Sequence, residues 1–305
     1  MKYRGRPRTT SIGDVTLQGL VMTASGTAGH SDELGAYGSL EQLGAVVVKS
    51  LSPEPWPGNP SPRLKTLDQG MLNSVGLQGP GIGAWIENDL QRLKATGAVV
   101  VVSIWGRTVE EYATAGALLA SAPVDAIEVN VSCPNLEDRS TMFAHSPDAT
   151  HQAVSAVGSA HPRWVKLSPN TSLLSEVAQS AVNAGADALT LTNTVLGMSI
   201  DIEPRRLSLG GGGGGLSGPA IHPVAVRAVY ECRKALPATP IIGVGGVMSG
   251  KDGIEFLLAG ASAVQVGTAA LADPRAPWRI QDEMNRWLDD HGVADVSEII
   301  GAAHE

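Results

Sequence analysis

One short punctuation pattern recurs along this chain and limits what it can fold into. Segments of helical character end in Gly-Ala and pass at once into an apolar run. This happens at Gly44-Ala45 before Val46, at Gly97-Ala98 before Val99, at Gly185-Ala186 before Asp187-Ala188 and at Gly260-Ala261 before Ser262-Ala263. Glycine just past a helix takes the left-handed conformation that stops it, and a short turn then starts a strand. Pro123, Pro162 and Pro240 mark further strand starts. The runs are short and continuously apolar, which suits parallel strands covered on both faces.

Eight such runs are predicted as strands: Leu20–Thr23, Ala45–Val48, Val99–Val102, Ala126–Val131, Trp164–Leu167, Ala188–Leu191, Pro240–Val244 and Ala263–Val266. Helical spacing fills the gaps between them. Leu174, Val177, Ala178, Ala181 and Val182 form one stripe, and Ile82, Ile86, Leu90 and Leu93 another. This alternation predicts an α/β protein, a (β/α)8 TIM barrel forming one domain over residues 1–305. An open doubly wound sheet is the alternative. Its G-x-G-x-x-G fingerprint is not met by Ser25-Gly26-Thr27-Ala28-Gly29 after the first strand.

Residues Thr9 to Leu17 alternate in polarity and are predicted as an N-terminal β-hairpin closing the barrel bottom. Two long loops follow strands two and six, Ser50 to Gly81 and Leu196 to Gly218. The second contains the glycine run Gly210 to Gly215. Composition reads that run as a flexible low-complexity loop, with a mobile lid as the functional alternative.

Composition excludes several functions. The net charge of −8 argues against nucleic acid, whose phosphates need a basic surface. Cys133 and Cys232 are too few for a disulfide framework, and a reducing cytoplasm is expected. Lys2, Arg4, Arg6 and Arg8 are followed by no apolar stretch, so no signal peptide is read. Phe256 to Ala272 is interrupted by Gly260, Ser262, Gln265, Gly267 and Thr268, so no membrane span is read. No His, Cys and carboxylate cluster has metal-ligand spacing, and no metal is expected.

Barrel chemistry gathers at the carboxyl ends of the strands. Those ends carry Ser25, Lys49-Ser50, Ser103, Asn130 with Ser132-Cys133, Lys166 with Ser168, Thr192-Asn193-Thr194, Gly245-Gly246 and Gly267-Thr268. Lys49 and Lys166 both end apolar strands, where an ammonium group needs a polar or anionic partner. Each alone is equally well a structural ion pair; two at one mouth favour an anionic ligand. Gly245-Gly246 and Gly267-Thr268 end the last two strands, where barrels often hold phosphate, although tight turns explain glycine pairs as well. Cys133 differs from Cys232, which falls mid-helix between Glu231 and Arg233 as a small core residue. A thiol at a strand end can act as base or nucleophile. No His is near it in sequence, so a Cys–His hydrolase is less supported.

Ordered motifs cover nearly the whole chain: Ala24 to Thr27, Gly58 to Arg63, Met71 to Gln78, Asn130 to Asn135, Val165 to Asn170, Asn193-Thr194 with Leu196 to Met198, Leu216 to Ala220, Gly245-Gly246 and Gln265 to Thr268. In these the chain resembles the dihydroorotate dehydrogenases. Cys133 resembles the class 1 enzymes rather than the Ser-bearing class 2. The segment Leu136 to Ala144 resembles the NAD-linked subclass 1B more than the fumarate-linked 1A. Asn135 departs from the related dihydropyrimidine dehydrogenases.

The resemblance implies FMN as cofactor, dihydroorotate as substrate and orotate as product. It makes Cys133 the base at C5, with hydride leaving C6 for flavin N5. Lys49 would lie by flavin and substrate. Asn73, Ser74, Val75, Gly76, Leu77, Asn130, Asn193 and Thr194 would hold the pyrimidine. Lys166 would stabilise reduced flavin. Gly245, Gly246, Gly267 and Thr268 would cradle its phosphate, and Ser25, Ser50, Ser103, Asn130, Thr192 and Gly218 would complete the flavin site. Ser103 stands where the family often has Asn. Subclass 1B further implies a partner polypeptide with FAD and a [2Fe–2S] cluster passing electrons to NAD+, in a heterotetramer around a homodimer of this chain. A Schiff-base lyase using Lys166 or Lys49, and a catalytically idle FMN-binding scaffold, are the competing readings.

Overall fold

The structure is a computed structural model that describes residue 3, residue 5 and residues 8–132 and 142–304. Cys133 and Asn135 lie outside the described residues, as does most of the subclass-bearing segment after them.

Eight parallel strands form one sheet: β1 Val21–Thr23, β2 Val46–Val47, β3 Val100–Ile104, β4 Ala126–Asn130, β5 Arg163–Leu167, β6 Ala188–Leu191, β7 Ile241–Val244 and β8 Ala263–Val266. Consecutive strands from β2 to β8 are paired, and β8 returns to β1. The remaining seam between β1 and β2 closes through Thr23 N to Ala45 O at 3.2 Å and Val47 N to Thr23 Oγ1 at 2.8 Å. The eight predicted strands are these eight; Ala188–Leu191 and Ala263–Val266 have the predicted ends, and the other six are shifted by one or two residues at an end. β3 runs on to Ile104, so Ser103 lies within a strand rather than beyond one.

The Gly-Ala signals do two different things. Gly97, Gly185 and Gly260 have φ of 77°, 93° and 115°, the left-handed stop. Gly44 follows a short 3-10 turn, Leu40–Gln42, and is required by space: a Cβ there would lie 2.6 Å from Gly19 O. Of the predicted helical stripes, Leu174–Asn183 is a regular helix burying Val177, Ala178 and Ala181. The other contains a π-helical stretch, Ile86–Leu90, between Ile82–Trp85 and Gln91–Lys94; Ile82, Leu90 and Leu93 face the core. Cys232 is buried on the helix His222–Ala235. No helix among the described residues is long and apolar enough to cross a membrane.

Period-two alternation divides the barrel interior into levels. The lower level is apolar, with Met22, Val47, Val101, Ala126, Trp164, Ala188, Ile242 and Ala263. The hairpin Thr10–Ile12 and Val15–Leu17 seals it from below, its Ile12 and Leu17 fully buried against that cluster. Two residues further along the same strands, the side chains become polar: Ser103, Glu128, Lys166, Thr190 and Gln265, all buried.

The two long loops are not independent. They share a four-stranded antiparallel sheet in the order Val195–Gly197, Gly214–Ser217, Gly70–Asn73, Leu64–Leu67. Leu216 pairs with Leu72 on one side and Val195 on the other. Gly214 and Gly215, at the end of the glycine run, therefore lie in a strand rather than in the unstructured loop that composition suggests. At four of the six, Gly210, Gly211, Gly214 and Gly215, neighbours leave no room for a side chain, and Gly212 takes a positive φ of 87°. A Cβ on Gly211 would lie 2.3 Å from Ser74 Oγ, and one on Gly214 would lie 2.6 Å from Asn73 O.

Candidate active site

Between the polar barrel level and this added sheet lies a cavity of about 560 Å³, within the ordinary range of small-molecule sites. Its walls collect residues from nearly every strand end. Lys49 and Ser50 follow β2, Asn130 ends β4, Lys166 lies in β5, and Thr192, Asn193 and Thr194 follow β6. Asn73, Ser74, Val75, Gly76 and Leu77 come from the loop after β2. Ser25, Gly218, Gly245, Gly246, Gly267 and Thr268 complete the opposite end. Of the residues singled out in the sequence, Ser103 and Ser168 are not on the wall; the Ser103 hydroxyl lies 2.9 Å from Ser50 Oγ and donates to Glu128 Oε1 at 3.1 Å. Cys133 is outside the described residues, and Asn130 and Ser132 approach the cavity just before it.

One end of the cavity is a backbone cradle. Gly245 and Gly246 have φ of 140° and 70°, and a Cβ on Gly246 would lie 2.8 Å from Gly218 O. Thr268 opens a short helix and donates its hydroxyl to Ser217 Oγ at 2.8 Å. Bare backbone of this kind admits an oxyanion to close range.

The other end is lined by amides held in fixed orientation. Asn130 Oδ1 accepts from Ser132 N at 3.2 Å and Ser132 Oγ at 2.8 Å, and Asn193 Nδ2 donates to Ser132 Oγ at 2.6 Å. The Tyr112 hydroxyl, from the helix Val109–Leu119, donates to Asn130 O at 2.8 Å and anchors the end of β4. Asn170 fixes the turn after β6: its Nδ2 donates to Thr194 O and its Oδ1 accepts from Leu196 N, both at 2.9 Å. Asn59 does the same for the other loop, donating to Ser74 Oγ at 3.0 Å. Asn59 and Asn170 line the cavity and were missed as site residues, although both fall inside the quoted motifs.

Lys166 sits at the junction of the two ends. Its Nζ donates to Ser25 Oγ at 3.0 Å and lies 3.8 Å from Glu128 Oε1. Glu128 is wholly buried and is the partner that the sequence required for Lys166 without naming. The signal was available: Glu128 interrupts the apolar run of β4 two residues before Asn130. Behind Lys49, burial and then the Lys49 charge lower the pKa of His30 below its ordinary value. Cys232 is the opposite of a poised thiol, since burial pushes its pKa to about 12.

The profile of the family described as dihydroorotate dehydrogenase matches residues 8–288. The chain belongs to that family. It is 47% identical over 294 residues to the Geobacter sulfurreducens protein named dihydroorotate dehydrogenase B (NAD(+)), catalytic subunit, spanning 95% of this chain and 96% of that one. Proteins of the same name from Geotalea uraniireducens and Alkaliphilus oremlandii are 45% identical over 302 residues and 46% over 292. Those two alignments span 98% and 95% of this chain and 99% and 96% of theirs. The likeness therefore extends through both the barrel and its added sheet.

Proposed function

We propose that the chain oxidises dihydroorotate to orotate in pyrimidine biosynthesis, as the FMN-binding catalytic subunit of an NAD+-linked enzyme. The observation that carries this is the single cavity in which a backbone cradle, a buried lysine and a set of fixed amides meet. The whole chain is read as one barrel domain working in the cytoplasm.

The residues present fit FMN. The glycine cradle of Gly245, Gly246 and Gly267, with Thr268, suits its phosphate. Thr192 Oγ1 is buried without a hydrogen-bond partner among the described residues, and Thr192 lines the cavity. Such a group calls for a polar ligand atom. Ser25, Ser50, Gly218 and Lys166 border the same space. When bound, FMN supplies the two-electron acceptor for the hydride at C6 of dihydroorotate. Ser103 would support this site from beneath, through Ser50.

Asn73 to Leu77, Asn130, Asn193 and Thr194 would hold the pyrimidine, whose ring carbonyls and N–H groups match amide donors and acceptors. Lys49, with its charge at the cavity wall, suits the substrate carboxylate and the flavin edge. Cys133 is assigned removal of the C5 proton, following the motif that it shares with the class 1 enzymes. Loss of that proton and of the C6 hydride together leave the ring double bond of orotate. The buried Lys166 cation suits the negative charge of a reduced flavin. The relatives' name, catalytic subunit, supports a second polypeptide. We assign FAD, the [2Fe–2S] cluster and the NAD+ site to that partner, around a homodimer of this chain.

The Schiff-base reading asks for an unprotonated amine. Lys166 is engaged by Ser25 and the buried Glu128 carboxylate, an arrangement that offers nothing in favour of that reading for this lysine. An anaerobic absorbance titration of the purified chain tests the proposal. Dihydroorotate should bleach the bound flavin. NAD+ should restore its colour only with the partner present. A colourless chain, or a flavin that dihydroorotate leaves oxidised, sinks the reading, and reoxidation by fumarate alone would move it to class 1A.

A further inference from the structure

Beneath the cavity floor a hydrogen-bonded chain runs across the barrel and ends on one carboxylate. Asn130 Nδ2 donates to Ser50 Oγ at 3.3 Å, and the Ser50 and Ser103 hydroxyls lie 2.9 Å apart. Ser103 Oγ donates to Glu128 Oε1 at 3.1 Å, and Gln265 Nε2 donates to Glu128 Oε2 at 2.8 Å. An ionised carboxylate only accepts, and a hydroxyl has a single hydrogen. Ser103 spends its hydrogen on Glu128, so Ser50 donates to Ser103 and must accept from Asn130. The direction of the whole chain is thereby set by the charge at its end. It leaves the Asn130 amide with Nδ2 toward Ser50 and Oδ1 toward Ser132. The same carboxylate stands 3.8 Å from the Lys166 ammonium, and both side chains are buried. β-Sheet register produces the arrangement, since Ser103 lies opposite Glu128, and Asn130 lies opposite Lys166.

We propose that Glu128 is a positioning residue with two effects: it balances the charge of Lys166 beneath the flavin, and it orients Asn130 toward the substrate through Ser103 and Ser50. Serine at position 103 is what joins the two effects, because its short hydroxyl bridges Ser50 and Glu128. The inference rests on the reading of the cavity as the flavin and dihydroorotate site.

The first test is the reduction potential of bound FMN in Glu128→Gln. Removing the anion leaves the Lys166 charge uncompensated in a low-dielectric site. Reduced FMN should then gain about tenfold in affinity relative to oxidised FMN, a rise of about 30 mV for a two-electron couple. Glu128→Asp keeps the charge and should hold the potential near that of the parent chain. A potential that Glu128→Gln leaves unmoved overturns the charge role. The second test is orotate binding, followed by titrating the flavin spectrum. Ser103→Ala cuts the chain but keeps both charges. It should weaken orotate by about tenfold, the size of one lost hydrogen bond to a charged network, without moving the potential. Ser103→Thr should restore it. Parent-like orotate affinity in Ser103→Ala overturns the orienting role, and this arm stands even where Glu128→Gln does not fold. Failure of the parent chain to bind FMN or orotate would instead strike the functional reading.

Discussion

A Cβ built on Gly215 would sit 2.0 Å from the Thr194 hydroxyl. The two residues come from opposite edges of the loop after β6, and both line the cavity. Gly215→Ala should therefore push Thr194 out of place. The expected result is about tenfold weaker orotate binding, with about 1–3 kcal/mol lost in urea unfolding. Calorimetric titration and a denaturation curve check both numbers, and parent-like values for both would show that Thr194 yields without consequence.

Cys133→Ser replaces the assigned base by a much weaker one. The rate of flavin reduction by dihydroorotate should fall by about 10²–10⁴, the usual contribution of a positioned base. The oxidised flavin spectrum should stay as it is. Anaerobic stopped-flow absorbance measures both, and an unaltered rate removes Cys133 from the reaction.

The two cysteines should also separate chemically. With its pKa at about 12, Cys232 has almost no thiolate near neutrality and is sealed in the core. Iodoacetamide at pH 8 should leave Cys232 unmodified in the folded chain and alkylate it after unfolding in urea. Peptide mass spectrometry reads the site directly; rapid labelling of Cys232 in the native chain would contradict its burial.

His30 gives a pH dependence of known sign. Burial, reinforced by Lys49, lowers its folded-state pKa below 6.5. Between the two pKa values the unfolded chain holds a proton that the folded chain does not, so stability rises with pH. The contribution is complete above about pH 6.5 and is lost as pH falls through the lowered folded value. His30→Leu should flatten this part of the stability profile. Urea midpoints from pH 5 to 8 would show it, and an unchanged slope would refute it.

The hairpin below the barrel should matter for stability without touching chemistry. Ile12 is fully buried against the lower interior. Ile12→Ala should cost about 2–5 kcal/mol, as core truncations do. The urea midpoint should fall while the FMN potential stays put.

The barrel was legible because its signals are local. Helix stops, short apolar runs and turn residues each need only a few neighbours, so the eight strands and the hairpin could be placed from sequence. The cavity wall was legible for a related reason: strand ends are where the sequence switches from apolar to polar. What could not be read were relationships across distance. Gly210 to Gly215 look flexible by composition, but three of them, Gly211, Gly214 and Gly215, are crowded by Ser74, Asn73 and Thr194. Those partners come from the other long loop and from the turn after β6. Glu128 escaped for a different reason. It stands within an apolar strand two positions short of the end, and attention to strand ends alone passes over it. Ser103 was expected at the flavin, but β3 continues beyond it and turns its hydroxyl toward Ser50 and Glu128.

The small sheet above the cavity joins Leu64–Leu67 and Gly70–Asn73 to Val195–Gly197 and Gly214–Ser217 through main-chain ladders. These two loops are consequently not modular. A graft that exchanges one for a relative's version must preserve a backbone register with the other, more than a hundred residues away in sequence. Insertions that an isolated surface loop would absorb should here be tolerated only in pairs. Engineering a new substrate range into this cavity thus means redesigning both loops as a single part.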